Sequence, residues 1–397
     1  MPRVPRHLIV SAAVAFLGCA DQTTAPPPVL LDREGERLRK STATVEWNAI
    51  ARAQTLTHAI GQQFGSRTFA YLSLAQYNAA LAADEREHRG PDASAGAAVA
   101  GASAVLLASF YPDQAGYFDS LVQAQRGSRD HDQAREFAAG EALGRAVGAR
   151  VVARAATDGF TSSTAGVTVP VCPGCWLSAP GKDPVFPLLG QMRPFFMRTG
   201  SQFRPGPPPA FGSATYLAAL HEVRQIADTR THEQDSIAKF WASPGGFTAV
   251  AQAYNNQIAT DEITRFSLDD RRAARVLAVM NMASMDAFIA CHDAKYIYWL
   301  IRPPQADPGI VLAIGLPNHP SYPSNHACVT GSSMEVLAAF FPSDAARLRG
   351  LAEQAAISRI FGGIHYRFDA DTGLKIGRAA AALALWRMHG HRPFPLR

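Results

Sequence analysis

The chain lacks a concentrated charge of either sign. Its 397 residues carry 38 Lys and Arg against 33 Asp and Glu, a formal net charge of +5, and the two signs are interleaved along the sequence. A protein that binds nucleic acid usually gathers its basic residues into a patch or stripe. The dispersed charge therefore argues against nucleic acid as a primary partner.

After the N-terminal leader, we expect no stretch long and apolar enough to cross a bilayer. The leader has Arg3 and Arg6 before a short apolar run, then Cys19 and a Pro-rich segment. This order resembles a bacterial lipoprotein signal and predicts export to the periplasm or cell surface, with a lipid anchor on Cys19. Cleavage followed by release is the alternative. We therefore divide the chain into a signal peptide (1–19), a tether (20–44) and a folded domain (45–397).

Cysteine is scarce, with five residues in the chain. Cys172 and Cys175 lie close together in a Pro- and Gly-rich loop without a strand–helix context. We predict a small structural disulfide there rather than a redox centre, and a metal clip is disfavoured because no second pair exists. Cys291 and Cys328 occupy apolar positions, which predicts buried free thiols.

Strand patterns are also scarce, with one short candidate at 166–171, whereas apolar residues at helical spacing dominate. The predicted fold class is all-α. The Pro- and Gly-rich stretch 157–212 is interpreted as a long irregular excursion between two helical halves, and no internal repeat at a fixed period is recognised. Helices are predicted at 41–62, 67–83, 95–110, 130–157, 217–227, 233–242, 268–302, 325–341, 343–359 and 369–389.

The most informative stretch is Ser-Arg-Ile-Phe-Gly-Gly-Ile-His-Tyr-Arg-Phe-Asp, residues 358–369. Arg359, His365 and Asp369 have spacings that suit one anion site. A helix starting near His365 would place Asp369 one turn further on the same face, where the carboxylate can hold the imidazole in one tautomer. The two glycines break any helix between Arg359 and the histidine, so the guanidinium can fold back toward the ring.

A second segment adds two cations. Lys295 and Arg302 are seven residues apart, which predicts that both leave one face of an otherwise apolar and aromatic helix ending at Pro303. The alternative is a solvated charged face whose side-chain stems cover the core. The surrounding Tyr, Trp, Leu and Ile residues favour a buried anion partner instead.

A third segment is His-Pro-Ser-Tyr-Pro-Ser-Asn-His, residues 319–326. Ser324 is predicted to cap a helix, where its hydroxyl and the free N–H groups form a seat for an oxyanion. An ordinary N-cap without an anion would have the same sequence. The three cations together favour a multiply charged tetrahedral anion such as phosphate or vanadate, because a single carboxylate would leave positive charge unpaired.

The order Lys-x6-Arg-Pro, Pro-Ser-x-His and Ser-Arg-x3-Gly-x-His-x3-Asp resembles the shared signature of vanadium-dependent haloperoxidases and type 2 phosphatidic acid phosphatases, in particular the bacterial haloperoxidase-like branch. The resemblance implies two packed four-helix-type bundles and vanadate as the cofactor, with phosphate able to occupy the same site. It implies that the anion is held by Lys295, Arg302, Arg359, Ser324 and the backbone N–H of Asn325.

The resemblance also implies roles for the histidines. His365 would be the nucleophile toward phosphate or the protein ligand of vanadium, with Asp369 orienting it. His326 would be the general acid/base for the apical or leaving oxygen. His319 matches a position that is His in bromoperoxidases, which favours bromide or iodide over chloride.

Two residues depart from the family pattern. Asn325 stands where the family has Gly. If that Gly provides a positive φ, Asn is the best-tolerated substitute, and if it admits the anion to bare backbone, the Asn side chain must point away or join the anion's shell. His292 stands where an aromatic residue is frequent, and we expect it to be a satisfied, partly buried histidine.

Three functions are compatible with these residues. The first is an exported vanadate-dependent haloperoxidase that uses hydrogen peroxide and halide. The second is an exported acid phosphatase that acts on phosphate monoesters through a phosphohistidine at His365. The third is an anion-binding relative that lost its chemistry at Asn325. We rank them in that order.

Overall fold

The structure is a computed structural model, and it describes residues 42–87, 93–127, 130–243, 250–389 and 393–395. The predicted signal peptide, the lipid anchor at Cys19 and most of the predicted tether lie outside these residues. In the described ranges the chain is all-α, as predicted. The strand predicted at 166–171 is absent, and the β pairing that the described residues do show is an isolated antiparallel bridge between Cys175 and Leu300.

The described residues form thirteen α-helices, which we number in chain order. They are α1 Ala43–Thr57, α2 Gln62–Glu87, α3 Ala95–Phe110, α4 Ala115–Arg126, α5 His131–Ala156, α6 Ala214–Thr229, α7 His232–Ala242, α8 Ala251–Arg265, α9 Asp270–Tyr298, α10 Pro303–Ala306, α11 Asn325–Phe340, α12 Ala345–Phe361 and α13 Arg367–Arg387.

The sequence prediction missed α4, α8 and the short α10. Helix α8 shows why such misses occur. Its interior face carries Gln252, Asn255 and Asn256, all fully buried. These amides bond one another and partners on other helices, for example Gln252 with Asn281 at 2.6 Å. Because polar residues occupy the buried face, the apolar period that indicates an amphipathic helix is absent.

Helix α9 is the central core helix and packs against α2, α11 and α13. By length and composition it could cross a membrane, which corrects the expectation that no such stretch exists, but 94% of its most apolar window is buried inside the protein. It ends at Tyr298, where Trp299 turns into the left-handed conformation (φ 49°, ψ 31°). Arg302 therefore lies beyond the helix, and the prediction that it shares a helix face with Lys295 is wrong.

The remaining long helices fall into two groups. Helices α2, α3, α4 and α5 pack with one another, and so do α9, α11, α12 and α13. The contact of α9 with α2 joins the groups. The cysteines of the second group, Cys291 on α9 and Cys328 on α11, are buried free thiols as predicted.

An internal repeat relates the two groups, and the sequence analysis failed to recognise it. The stretch from α3 into α4 aligns without a gap with the stretch from α11 into α12, and each passes through a 3₁₀ turn that begins with Pro. Most aligned pairs exchange one small or apolar residue for another, so the match is weak in identity. The identical pairs include Val99/Val329, Gly101/Gly331, Ser103/Ser333, Leu107/Leu337, Phe110/Phe340 and Pro112/Pro342.

Glycines let the helices of each group approach closely. A Cβ on Gly144 of α5 would lie 1.9 Å from the carbonyl oxygen of Ala98 on α3. In the second group, a Cβ on Gly373 of α13 would lie 2.6 Å from the carbonyl oxygen of Ser324. The second contact fixes the distance between α13 and Ser324, the residue immediately before α11.

The excursion between α5 and α6 contains three short 3₁₀ turns and otherwise irregular backbone in the described structure, as predicted. Asp286 on α9 anchors it, because its buried carboxylate accepts the N–H groups of Phe195, Phe196 and Met197 at 2.6–2.9 Å. Burial raises the pKa of Asp286 to about 6.

Cys172 and Cys175 form the predicted disulfide within this excursion. Their loop pairs with the segment that follows α9: the Ile301 N–H donates to the Gly174 carbonyl at 2.9 Å, and the Trp176 N–H donates to the Trp299 carbonyl at 2.6 Å. The excursion is thus bonded to the backbone that leads from Lys295 to Arg302.

The close approach of α3 and α5 predicts a large cost for a single methyl group at their contact. We expect Gly144→Ala to lower the free energy of unfolding by about 1–3 kcal/mol, since the added Cβ meets backbone that cannot move aside cheaply. Gly116→Ala on α4 is the matched control, because nothing lies within 4 Å of its added Cβ. Better helix propensity should leave the control neutral or up to about 1 kcal/mol more stable. Urea unfolding measures both, and equal effects would contradict the packing argument.

Candidate active site

His365 and Asp369 form a buried pair at the start of α13. The Nδ1 atom of His365 lies 2.8 Å from Oδ2 of Asp369. The same oxygen accepts the Ser321 hydroxyl at 2.5 Å and the Tyr366 N–H at 3.1 Å. Because an ionised carboxylate only accepts, Nδ1 carries the ring proton and Nε2 keeps its lone pair.

The local backbone differs from the sequence prediction. His365 lies before the helix, which begins at Arg367 with Tyr366 as N-cap, so the two side chains do not share a helix face. Asp369 instead occupies the third helical position, where its carboxylate caps the helix by accepting the Tyr366 N–H. The pairing that the spacing suggested is present, but a capping turn produces it.

Arg359 lies in the last turn of α12, which ends at Phe361 before the two glycines. Gly363 takes a positive φ of 80°, a conformation that favours glycine, and the chain turns there toward His365. The guanidinium is buried. It donates to the Ser358 hydroxyl and to the Ala238 carbonyl, both at 3.0 Å.

Arg302 connects two histidines. It is fully buried, and its Nη1 atom donates to the Ile364 carbonyl at 2.8 Å and lies 3.2 Å from Nε2 of His365. Its Nη2 atom lies 3.0 Å from Nδ1 of His319. A guanidinium can only donate, so both ring nitrogens accept from it. The structure thus brings His319, His365 and Arg302 together.

Lys295, in the last turn of α9, holds the loop that precedes Ser324. Its ammonium donates to the carbonyls of Pro320 and Ser321 at 2.8 and 2.7 Å, and also to that of Pro323. Three acceptors take its three protons. In this arrangement Lys295 contributes its charge and fixes the loop, and its role as a direct ligand of the anion stays a prediction.

Ser324 stands at the N-cap position of α11, but its side chain makes no capping hydrogen bond. It is the N-cap residue, as predicted, yet its buried hydroxyl has no hydrogen-bond partner in the structure. The internal repeat supplies a comparison, because Ser94 is the equivalent N-cap of α3 and its hydroxyl accepts the Ala97 N–H at 3.2 Å. The hydroxyl at the second position is therefore available to a ligand.

His326 bonds to a helix that the sequence analysis did not assign to the site. Its Nε2 atom lies 3.0 Å from the Trp241 carbonyl in the last turn of α7, so Nε2 carries the proton and Nδ1 keeps its lone pair. The Ala238 carbonyl of the same turn receives Arg359. Backbone carbonyls give no side-chain signal, which is why the sequence did not indicate α7.

Asn325 is the first residue of α11, and it is not among the residues with a positive φ. The first explanation for its place in the motif, a positive φ, is therefore wrong. Its amide nitrogen lies 3.3 Å from Nε2 of His292. His292 is fully buried, and its Nδ1 atom bonds the Phe186 carbonyl at 3.2 Å, so this histidine is satisfied as predicted.

These buried side chains carry more positive than negative charge. In the described part of the chain Lys295, Arg302 and Arg359 make no ion pair with a carboxylate, and Asp369 is the acidic group that acts on the first two. Burial lowers the pKa values of these cations to about 7, 10 and 9, and raises the pKa of Asp369 to about 6. An oxyanion would relieve this imbalance.

The histidines are uncharged in this environment. Burial, reinforced by the neighbouring cations, holds the pKa values of His319, His326 and His365 well below their usual range. A bound anion would oppose the cations and raise these pKa values. Proton uptake by the histidines is therefore coupled to anion binding.

The residues present fit a tetrahedral oxyanion. Ser324 offers an unpartnered hydroxyl, the first turn of α11 offers N–H groups that have no partner within the helix, and the cations leave charge to neutralise. Nε2 of His365 would supply the ligating or nucleophilic atom once the anion replaces it as the partner of Nη1 of Arg302, which lies 3.2 Å away. Phosphate and vanadate both meet these requirements.

Comparison with known proteins bears on the same region. Residues 274–393 match the model of the PAP2 superfamily, a range that contains every predicted site residue. The recognition made from the three motifs is thereby confirmed at the level of the superfamily.

The whole fold is similar to solved bacterial structures. A crystal structure of a bacterial vanadium-dependent iodoperoxidase matches with a TM-score of 0.74 and 24% identity, over 89% of this chain and 96% of that one. The apo-type bacterial vanadium-dependent chloroperoxidase matches with a TM-score of 0.68 and 14% identity, over 84% and 95% of the two chains. The holo-type structure gives 0.66 and 15%, over 84% and 93%. No curated protein sequence matches this chain.

The unpaired charge predicts how the pocket responds to loss of one cation. We expect Arg359→Met to weaken phosphate binding by about tenfold or more, because a charge-assisted hydrogen bond is lost while most of the side-chain volume is kept. Arg349→Met is the control, since Arg349 is exposed and pairs with Glu335 outside the site. Isothermal titration calorimetry measures both. Equal affinities in the two variants would show that Arg359 does not face the anion.

Proposed function

We propose that the protein is an exported vanadate-dependent haloperoxidase that oxidises halide with hydrogen peroxide, and that it favours bromide or iodide over chloride. The observation that carries the proposal is the buried excess of cations around a histidine whose Nε2 lone pair is fixed by Asp369. The likeness of the fold to vanadium-dependent haloperoxidases supports it.

In this proposal Nε2 of His365 would hold the vanadium, and its oxygens would be held by Arg302, Arg359, the Ser324 hydroxyl and the Asn325 N–H, with Lys295 adding charge. Bound vanadate would supply the activation of hydrogen peroxide toward halide. Asp369 keeps His365 in the required tautomer through Nδ1. The protein contributes binding, orientation and charge compensation rather than the redox chemistry itself.

His326 is the proposed proton carrier. Its Nε2–H donates to the Trp241 carbonyl, so Nδ1, which has a lone pair, is the atom that would take up and return a proton. Burial, reinforced by the charge of Arg359, holds the pKa of His326 low, and a bound anion would oppose the effect of the cations and raise that pKa. The histidine would thus become active when the site is filled.

The halide preference rests on His319. Its Nδ1 atom accepts from Nη2 of Arg302, and the other nitrogens of the same guanidinium reach the His319 carbonyl and Nε2 of His365. An imidazole beside this arginine gives the pocket a polar wall where a larger aromatic residue would make it apolar. We propose that this wall favours the more easily oxidised bromide and iodide.

Phosphatase activity is the second candidate, because the same lone pair on His365 suits it. Nε2 would attack the phosphorus of a phosphate monoester and the bond to the leaving alcohol would break, while His326, protonated on Nδ1 when the ester is bound, gives that oxygen its Nδ1 proton. Water would then attack the phosphorus, the P–N bond to His365 would break and release phosphate, and Nδ1 of His326 would take up a proton of the water. An inactive anion-binding protein is the third candidate, and it predicts binding without either reaction.

For export we propose processing near Cys19 with a lipid anchor on that residue, on the order of charged, apolar and polar segments in the leader. The protein would then act in the periplasm or at the cell surface. Its oxidising surroundings suit the disulfide between Cys172 and Cys175.

An activity assay separates the three candidates. Protein that starts after Cys19 is stripped of anions, incubated with orthovanadate, and assayed for bromination of a reporter dione with bromide and hydrogen peroxide. We expect turnover that requires vanadate and that falls by about a hundredfold or more in His365→Ala. His221→Ala, which removes an exposed histidine on α6, should retain full turnover.

Other outcomes assign the remaining candidates. Vanadate binding without halide oxidation, together with hydrolysis of a phosphate monoester that His365→Ala abolishes, would replace the proposal with the phosphatase. Binding with neither activity, and halide oxidation gained in Asn325→Gly, would favour the inactive relative.

A further inference from the structure

The backbone conformation at position 325 does not explain why this residue is an asparagine. The residue begins α11 without a positive φ, and 7% of it is exposed. A glycine or alanine would serve the backbone equally well. The buried amide therefore has to be explained by what it contacts.

The orientation of this amide follows from a chain of hydrogen bonds. The Phe186 carbonyl can only accept, so Nδ1 of His292 carries the ring proton. Nε2 of His292 then has a lone pair and needs a donor, which only the amide NH2 of Asn325 can supply. Burial and the charge of Lys295 lower the pKa of His292 to about 3, which keeps this tautomer neutral.

The amide oxygen of Asn325 takes no part in this chain of hydrogen bonds. Oδ1 of Asn325 is buried and has no hydrogen-bond donor in the structure, and the hydroxyl of the preceding Ser324 is also unpartnered. A buried acceptor without a donor costs stability, so such an atom calls for a ligand that brings a proton. Both atoms belong to the residues that begin α11, where an oxyanion is expected to bind.

We propose that Asn325 makes the pocket select oxyanions that carry a proton, with Oδ1 accepting the hydroxyl of the bound anion and His292 acting as the positioning residue that keeps this oxygen toward it. The inference rests on the proposed function only in requiring that an oxyanion occupies the pocket. At neutral pH phosphate and vanadate keep at least one hydroxyl, whereas sulfate has none. Sulfate would set an oxygen acceptor against Oδ1 and leave both unsatisfied.

The test compares phosphate with sulfate by isothermal titration calorimetry at pH 7 on protein that starts after Cys19. The native chain should prefer phosphate by about tenfold or more, because sulfate leaves a buried acceptor unpaired. In Asn325→Gly the preference should fall to within about threefold, chiefly because sulfate binds better. A purely structural role for Asn325 would instead weaken both anions equally.

Two more variants test the positioning role. His292→Phe keeps a ring of similar size but cannot accept from the amide, so Asn325 is free to present its NH2, and the preference for phosphate should fall. Asn325→Asp keeps acceptors and offers no donor, so the preference should persist although both anions bind more weakly. If His292→Phe does not fold, by circular dichroism, the two Asn325 variants decide the question.

Each result has one meaning. A preference that survives unchanged in Asn325→Gly overturns the inference and moves the selecting acceptor to another atom, such as the unpartnered Oδ1 of Asp369. Failure of the native chain to bind either anion overturns the inference together with the proposed function. The predicted pattern of preferences in a protein that does not oxidise halide supports the inference while the haloperoxidase proposal fails.

Discussion

The carboxylate of Asp369 is the interaction on which the site depends. One oxygen receives His365, the Ser321 hydroxyl and the Tyr366 N–H, and the backbone carbonyl of the same residue receives the Ser324 N–H at 3.0 Å. These bonds join α13, the loop after α12 and the loop before α11. A single buried residue thus sets the tautomer of the histidine and the position of the N-cap, and it does so with one charge among three cations.

The cations are held by dipoles rather than by counter-charges. Lys295 bonds three carbonyls of the loop before α11, Arg302 bonds the carbonyls of His319 and Ile364, and Arg359 bonds that of Ala238. Carbonyl oxygens satisfy the N–H groups without neutralising the charge. The guanidinium and ammonium groups are therefore held in place before an anion arrives, and in the described part of the chain none of them is paired with a carboxylate. Arg302 would still have to exchange its contact with Nε2 of His365 for the anion, because that nitrogen is the proposed binding atom.

The sequence predicted the features that depend on side-chain type and missed those that depend on backbone conformation or backbone carbonyls. The spacing of Arg359, His365 and Asp369 indicated one anion site because the chemistry of these three side chains is visible in the sequence. The end of α9 at Trp299 was missed because no glycine or proline marks the left-handed turn, and the preceding residues keep a helical pattern. The carbonyls of α7 and the buried amides of α8 were missed because neither produces an apolar period.

The internal repeat shows why the site occurs in the second group of helices. In both groups the N–H of the cap serine bonds the carbonyl of a residue on the last long helix, Glu136 for Ser94 and Asp369 for Ser324. In the first group that helix, α5, begins at His131, more than one turn before Glu136. In the second group α13 begins later, at Arg367, and the glycine loop before it brings His365 to the cap. The two frameworks are alike, and the later helix start makes room for the histidine that the proposed chemistry requires.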